Sequence, residues 1–153
     1  MRSSATITVT SRLAAPPAAV WAHASTMEGV NFELRPLVRM TVPRPARGRT
    51  LEDVELNATA FHSTLLAGGV LPFDRHALRL VAVRPGRGFQ ERSTSLLHAR
   101  WDHERTIVAD ADGSLLTDRV TFTPRLGTAG LERPIVAALF RHRHERLARR
   151  FAR

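Results

Sequence analysis

Aromatic, polar and charged residues alternate along one strand-like segment, His98–Val108, and this pattern constrains the fold more than any other part of the chain. At a period of two, Trp101, His103, Arg105 and Ile107 fall on one face, while the opposite face is polar. The polar face is typical of a strand exposed to solvent. The other face should meet the core, yet it carries an indole, an imidazole and a guanidinium. The segment therefore predicts a strand whose inward side is only partly apolar.

A turn sequence, Asp110–Gly113, follows and predicts a hairpin with the segment Ser114–Arg125. In the simplest register, Arg105 lies opposite Asp118, within reach of its carboxylate. The same register gives three further pairs: Ala109 with Ser114, His103 with Val120, and Trp101 with Phe122. We therefore predict that Arg105 and Asp118 form an ion pair that points into the protein.

The size and composition of the chain favour one domain. It has 153 residues, 43% of them hydrophobic, which is enough to bury a core. No run of about 18 apolar residues could span a membrane, and the N-terminus alternates instead of carrying the apolar core of a secretion signal. The absence of cysteine excludes disulfides, thiolate metal sites and cysteine nucleophiles. We predict a single domain over residues 1–153 and a cytoplasmic location.

The basic residues are unusual because all 23 are arginine, and the formal net charge is +9. Without lysine, Schiff-base chemistry and internal lysine bases are excluded. Either the base composition of the genome or selection for anion binding explains the bias. In both cases the chain produces a positive field.

Strand-like and helix-like patterns are segregated along the chain. Besides the central hairpin, alternation predicts four strands: Ser4–Leu13, Asn57–Leu66, His76–Val83 and Phe89–Leu96. Pro17 suits the first turn of a short helix over Ala18–Ser25. Asn31–Met40 predicts either a second short helix broken at Pro36 or an irregular segment. Two prolines, a glycine and three arginines mark Pro43–Thr50 as an exposed loop.

The C-terminal part, from about Leu131 to Arg153, predicts one long helix. Apolar residues recur there at helical spacing on one stripe: Val136, Leu139, Phe140, Leu147 and Phe151. His144 lies on the same stripe, and arginines occupy the other faces. The whole order predicts an α+β helix-grip fold, with two short helices after the first strand and a curved antiparallel sheet wrapped around the last helix.

Short motifs spread over most of the chain resemble one known superfamily. They are Ala15–Trp21, Gly88-Phe89 with Glu91, Trp101-x-His103-x-Arg105, and Asp118-x-Val120-x-Phe122 after Gly113. With the element order, they are similar to the START/birch-allergen-like (SRPBCC) superfamily, and within it to the bacterial polyketide cyclase/dehydrase and lipid-transfer group. The resemblance implies a cavity between sheet and last helix that holds an apolar small molecule. Family roles include lipid or sterol carriage, hormone sensing, polyketide cyclisation and chaperone activation.

Four inward polar residues form one candidate constellation: Glu91, His103, Arg105 and Asp118. In the functional interpretation they anchor a ligand or transfer protons, because an imidazole beside a carboxylate can do both. In the structural interpretation they are a satisfied salt-bridge cluster across three strands, because an unpaired buried charge costs far more than a paired one. The tryptophans Trp21 and Trp101 leave core packing and ligand stacking open in the same way.

The remaining histidines and the arginine-rich terminus are weaker candidates. His142 and His144 project about 200° apart on a helix, so they are badly placed to chelate one metal. We expect no metal and no cofactor. His62, His76 and His98 are predicted to be exposed or at strand ends. The terminal arginines lack interleaved aromatics, which disfavours nucleic-acid binding and leaves a solvated face or one that docks on an acidic partner or anionic lipid headgroups.

We predict that the chain binds an apolar small molecule, lipid-like or polyketide-like, with a polar or anionic group, as a carrier or sensor. One alternative is an aromatase/cyclase or dehydratase that uses His103 or Glu91. Another is an arginine-rich interaction module. The sequence assigns no catalytic residue and no oligomeric state. The predicted ligand-binding residues are Phe89, Glu91, Trp101, His103, Arg105, Asp118, Phe122, Phe140 and His144.

Overall fold

The computed structural model describes residues 2–152, which form seven strands and three α-helices. The strands are β1 (Ala5–Leu13), β2 (Val38–Met40), β3 (Thr59–Ala67), β4 (Leu71–Arg84), β5 (Gly88–Ser95), β6 (His98–Asp110) and β7 (Gly113–Pro124). The helices are α1 (Pro17–Ala24), α2 (Met27–Leu34) and α3 (Ala129–Arg150). One antiparallel sheet in the order β1-β7-β6-β5-β4-β3-β2 curls around α3. The predicted α+β helix-grip fold is therefore confirmed.

The central hairpin has the register that the alternation predicts. Arg105 pairs with Asp118, and the other predicted pairs of β6 and β7 also face each other. Gly88 lets β5 start directly against β6. Its φ is +138°, and a Cβ there would collide with the carbonyl oxygen of Arg105.

Element boundaries differ from the predictions where tertiary contacts decide them. α2 begins at Met27, because the Thr26 side chain accepts a hydrogen bond from the N–H of Gly29 at 3.0 Å and caps the helix. The prediction of a helix or an irregular segment is wrong for β2, a short edge strand that pairs with β3. β4 begins at Leu71, earlier than predicted. α3 ends at Arg150, with Phe151 as its C-cap, and the predicted helix end at Arg153 lies outside the described residues.

Buried apolar side chains form two clusters instead of one continuous core. The first includes Leu13, Val20, Trp21, Leu80, Ile107, Leu116 and Leu147. The second includes Ile7, Val120, Phe122, Val136 and Phe140. Each of three elements has a buried polar residue at the level between the two clusters: Asp118 on β7, Arg105 on β6 and His144 on α3. A layer of buried polar groups therefore separates the two apolar clusters.

The helices cover the concave side of the sheet unevenly. α3 packs mainly on β1 and β7, and α2 packs on α3. The helices pack less closely on the inner face of the remaining strands, β2 to β6. Among residues 2–152, no helix is both long enough and apolar enough to cross a membrane.

Candidate ligand-binding cavity

A cavity of about 620 Å³ lies between α2, α3 and the inner face of strands β3 to β6. Its walls are mostly aliphatic and aromatic, with Val30 from α2, Leu78 and Leu80 from β4, and Leu139 and Phe140 from α3. Small-molecule sites typically measure about 300–1,000 Å³ and have this mixture of apolar walls and a few polar groups. The space is therefore of a size to hold an organic molecule.

The cavity opens to solvent through a rim of apolar side chains, which we call the mouth. Leu37, Phe73, Leu97 and Ile135 line the cavity and are themselves between 42% and 69% exposed. Other large exposed apolar residues lie close to these in the sequence: Val70 and Leu71 precede Phe73, Leu96 precedes Leu97, and Leu126 and Leu131 precede Ile135. Exposed apolar patches of this kind commonly mark ligand entries or contact surfaces.

The polar layer centres on Arg105, whose side chain is 1% exposed. Its Nε and Nη2 donate to the two carboxylate oxygens of Asp118, both at 2.8 Å. Its Nη1 and Nη2 donate to Glu33 at 2.9 and 2.7 Å. The predicted inward ion pair between Arg105 and Asp118 is confirmed, and the guanidinium has a second carboxylate partner that the sequence analysis missed.

That missed partner, Glu33, lies on α2 and is fully buried. Besides Arg105, it accepts a hydrogen bond from Nε of Arg143 on α3 at 3.1 Å. The available signal was a lone carboxylate between two apolar residues, Phe32 and Leu34, on a short helix. Its partners lie far away in sequence, so only the docking of α2 against α3 brings them together.

Asp118 also accepts from two histidines. Nε2 of His103 and Nε2 of His144 each lie 2.7 Å from one of its oxygens. Nδ1 of His144 lies 2.6 Å from the hydroxyl of Ser11 on β1. With Arg105, these contacts satisfy both oxygens of a carboxylate that is 0% exposed.

Glu91 extends the polar layer across the sheet to β4. Its Oε2 lies 2.5 Å from Nε2 of His76 and accepts a hydrogen bond from the Ser93 hydroxyl at 2.6 Å. Its Oε1 lies 3.7 Å from Nδ1 of His103. A row of four side chains, His76, Glu91, His103 and Asp118, therefore crosses the neighbouring strands β4 to β7, and each contacts the next.

Burial acts to raise the pKa of all three carboxyls in this layer, but positive neighbours outweigh it. Arg105 and then Arg143 hold the pKa of Glu33 below its ordinary value. Arg105 also holds the pKa of Asp118 well below its ordinary value, with a contribution from its histidine neighbours. His76 is the neighbour that lowers the pKa of Glu91 most. All three groups are therefore carboxylates at neutral pH.

Most of the predicted ligand-binding residues lie on the cavity wall. These are Phe89, Glu91, Trp101, His103, Arg105 and Phe140. Three others, Asp118, Phe122 and His144, are buried behind the wall and hold it in place. Asp118 binds Arg105 and His103, and the ring of Phe122 packs 6.0 Å from the ring of Trp101. The structure therefore brings the predicted residues together, six on the cavity wall and three in the layer behind it.

Comparison with known proteins defines the family and the fold. The sequence profile of DUF8410, a domain of unknown function, matches residues 11–151. The chain belongs to the DUF8410 family. Among curated proteins, none matches the sequence.

Solved structures similar to this DUF8410 chain share its fold at low identity. Protein CV1439 from Chromobacterium violaceum has a TM-score of 0.74 at 15% identity, over 97% of this chain and 98% of that one. A START superfamily protein from Mycobacterium smegmatis has a TM-score of 0.63 at 14% identity, over 95% and 96%. Ara h 8.0201 has a TM-score of 0.65 at 11% identity, over 95% of each chain. The START/birch-allergen-like fold predicted for the sequence is confirmed.

A second polar group of this DUF8410 chain lies at the cavity mouth, and we call it the mouth cluster. Nε2 of His98 lies 2.8 Å from Glu132 at the start of α3, and its Nδ1 lies 3.9 Å from Asp74 on β4. Burial acts to lower the pKa of His98, but Asp74 and Glu132 raise it above its ordinary value. His98 is at a strand end as predicted, although it is buried.

The prediction for His76 is wrong, because this residue is buried in the interior of β4. The strand begins at Leu71, so His76 falls well inside it, on the same inward face as Leu78 and Leu80. His62 is exposed, as predicted. In residues 2–152, no group of three or more His, Asp or Glu side chains is arranged to hold a metal ion.

Proposed function

We propose that the cavity binds an apolar small molecule that carries one polar or anionic group, and that the protein acts as a carrier or sensor of that molecule in the cytoplasm. The observation that carries the proposal is the cavity itself, which has apolar walls, an apolar mouth and a charged layer on one side. Apolar walls supply affinity through burial, whereas a few fixed polar groups orient the ligand.

In this proposal, aromatic rings form the wall nearest the polar layer. The rings of Trp101 and Phe140 lie 6.3 Å apart, and His103 packs edge-on against Phe89 at 5.1 Å and Phe140 at 5.0 Å. These contacts fix the rings before any ligand arrives. A preorganised wall lowers the entropic cost of binding.

The geometry supports binding more than turnover. Both ring nitrogens of His103 lie against carboxylates, Asp118 at 2.7 Å and Glu91 at 3.7 Å. Glu91 is ionised and already accepts from His76 and Ser93. A general acid or base must reach the proton that it transfers, and Nε2 of His103 and Oε2 of Glu91 are already bound to protein partners.

A cavity-filling variant tests this function. Val30 lines the cavity, so Val30→Trp places an indole in the space that a ligand would occupy. Val108→Trp is the matched control, because Val108 is 57% exposed on β6 and lies away from the cavity. We expect saturable binding of the neutral dye Nile red by the wild type and the control, and at least about tenfold weaker binding by Val30→Trp.

Urea unfolding of both variants checks that they fold. Equal dye binding by the wild type and a folded Val30→Trp variant would contradict the proposal, because the dye would then bind elsewhere on the surface.

The enzymatic alternative has one specific observation in its favour, the pairing of His76 with Glu91. His76 lines the cavity, and the carboxylate at 2.5 Å from Nε2 orients its ring. An aromatase/cyclase or dehydratase would use this imidazole, and His76→Gln should then abolish conversion of a poly-β-keto thioester. Absence of any product with the wild type, under conditions where the thioester binds, would remove this alternative.

A further inference from the structure

One buried cation on the cavity wall retains hydrogen-bond donors that the protein does not use. Arg143 on α3 is 7% exposed and lines the cavity. Its Nε donates to Glu33 at 3.1 Å, and its guanidinium carbon lies 4.8 Å from the ring centroid of Phe140. Within the described chain, neither terminal nitrogen of Arg143 has a protein acceptor, and neither is sealed off as a buried unpaired atom. These nitrogens are therefore open to a molecule in the cavity.

Arg105, the cation predicted to contact the ligand, has no nitrogen without a protein acceptor. Each of its three nitrogens already donates to Asp118 or Glu33. The carboxylates of Glu33, Glu91 and Asp118 likewise accept from protein donors. Of the two arginines in the polar layer, Arg143 is the one with unused donors, so it is the cation best placed to interact with an anionic ligand.

We propose that Arg143 anchors a single anionic group, and that the ligand is an apolar monocarboxylic acid or a close planar analogue. This inference rests on the proposed function, since it takes the cavity as the binding site. The two terminal nitrogens of a guanidinium match the two oxygens of a carboxylate in a bidentate pair. The bond to Glu33 and the ring of Phe140 hold the plane of the guanidinium in advance.

The position of Arg143 also sets the orientation of the ligand. At 1.5 Å per residue, the step along α3 from Ile135 at the mouth to Arg143 spans about 12 Å. The carboxylate therefore lies deep in the cavity, beside the polar layer, while the apolar part extends toward the exposed rim of Leu37, Phe73 and Leu97. A cationic amphiphile should gain little beside Arg143, because both oxygens of Glu33 and of Asp118 already accept from protein donors.

A comparison of matched ligands tests the inference. Dodecanoate, dodecanol and dodecylamine share one apolar chain and differ in the head group, and displacement of Nile red measures the affinity of each. We expect the wild type to bind dodecanoate at least about tenfold more tightly than dodecanol, as one charge-assisted hydrogen-bonded pair allows. Dodecylamine should bind no better than dodecanol.

Arg143→Gln should reduce the affinity for dodecanoate about tenfold or more and leave that for dodecanol unchanged. Arg141→Gln, at an exposed position of the same helix, removes the same charge and should change neither affinity. Arg143→Lys keeps a charge but loses the bidentate geometry, so its affinity for dodecanoate should be intermediate. Urea unfolding of each variant separates lost anchoring from lost folding.

Two results would overturn the inference. One is equal binding of dodecanoate and dodecanol by the wild type, and the other is undiminished binding of dodecanoate by a folded Arg143→Gln variant. Either leaves the proposed function intact, because the cavity would still bind apolar chains. Failure of all three ligands and of Nile red to bind would instead refute the proposed function.

Discussion

Two groups of buried charges border the same cavity, and they differ in how completely they are paired. In the polar layer, Asp118 and Glu33 are 0% exposed and both oxygens of each accept from protein donors. In the mouth cluster, Glu132 is 27% exposed and its Oε2 has no partner among the described residues. One group is a closed network, whereas in the other Glu132 depends on the single imidazole of His98.

The difference teaches that similar residues take different roles at the two ends of this cavity. Removal of one member of the closed network leaves uncompensated charge in a dry interior, which is costly. In the mouth cluster the side chain of Glu132 is partly exposed, so water can replace a lost partner there and the cost is smaller. The polar layer should therefore set the stability of the fold, and the mouth cluster should adjust it only slightly.

The largest expected effect follows from removing Asp118. Asp118→Ala leaves Arg105 with one carboxylate and two histidines without an acceptor, so the free energy of unfolding should fall by about 3–5 kcal/mol. Urea unfolding at neutral pH measures this loss. A loss below about 1 kcal/mol would mean that water reaches the polar layer from the cavity, and the contrast with the mouth cluster would disappear.

The second largest effect is expected from acid, which should lower the free energy of unfolding by protonating the carboxylates of the polar layer. A carboxyl whose pKa is lower in the folded than in the unfolded chain stabilises the fold above its unfolded value, and that stabilisation is lost as the pH falls. The unfolded values are 4.5 for Glu33 and 3.8 for Asp118, and both folded pKa values are lower. Stability should therefore begin to fall near pH 4.5 and continue to fall below pH 3.8.

Glu33→Gln isolates one part of this dependence. The variant should be less stable than the wild type at neutral pH, because Arg105 and Arg143 lose a shared carboxylate. The difference should narrow as the pH falls below 4.5, because the unfolded wild type then takes up a proton at Glu33 and the variant cannot. A difference that stays constant between neutral pH and about pH 3 would show that Glu33 has no lowered pKa.

The mouth cluster should respond to pH in the opposite direction and more weakly. The pKa of His98 is raised above 6.5, so its stabilisation is present below pH 6.5 and is lost as the pH rises through the folded value. The effect should be about 1 kcal/mol or less, because solvent screens the partly exposed pair. Glu132→Gln should reduce the loss of stability above pH 6.5, measured by urea unfolding across that range.

The smallest effect is expected at a surface ion pair on β6, which serves as the reference for both clusters. Arg100 donates to Asp102 at 2.6 Å, and the arginine side chain is 54% exposed. Asp102→Ala should change the free energy of unfolding by less than about 1 kcal/mol. A change as large as that for Asp118→Ala would mean that burial does not govern these charge pairs.

The sequence predicts the parts of this account that depend on strand alternation. The pairing of Arg105 with Asp118 follows from the period of β6 and β7 and from the turn at Asp112-Gly113, all of which are local. The stripe on α3 is also local, and it correctly places Phe140 and Leu147 in the core. These features need no knowledge of how distant elements pack.

The sequence does not predict the groups that helices bring to the polar layer. Glu33 and Arg143 meet only because α2 docks on α3, and neither helix carries a local signal of that contact. For the same reason, Arg105 was expected to reach the ligand, whereas its donors are engaged by Glu33 and Asp118. His76 was misplaced because β4 starts at Leu71, before Pro72, a position that a strand tolerates at its beginning.

The most direct test of the central claim is native mass spectrometry of the protein purified from the organism that encodes it. If the cavity carries a small molecule, the wild type and Val108→Trp should retain a bound species of defined mass, and Val30→Trp should lose it. Fragmentation of the released species should identify an apolar acid. A wild-type protein that carries no bound species and takes up none of the apolar ligands offered to it, or a bound species retained equally by Val30→Trp, would contradict the account.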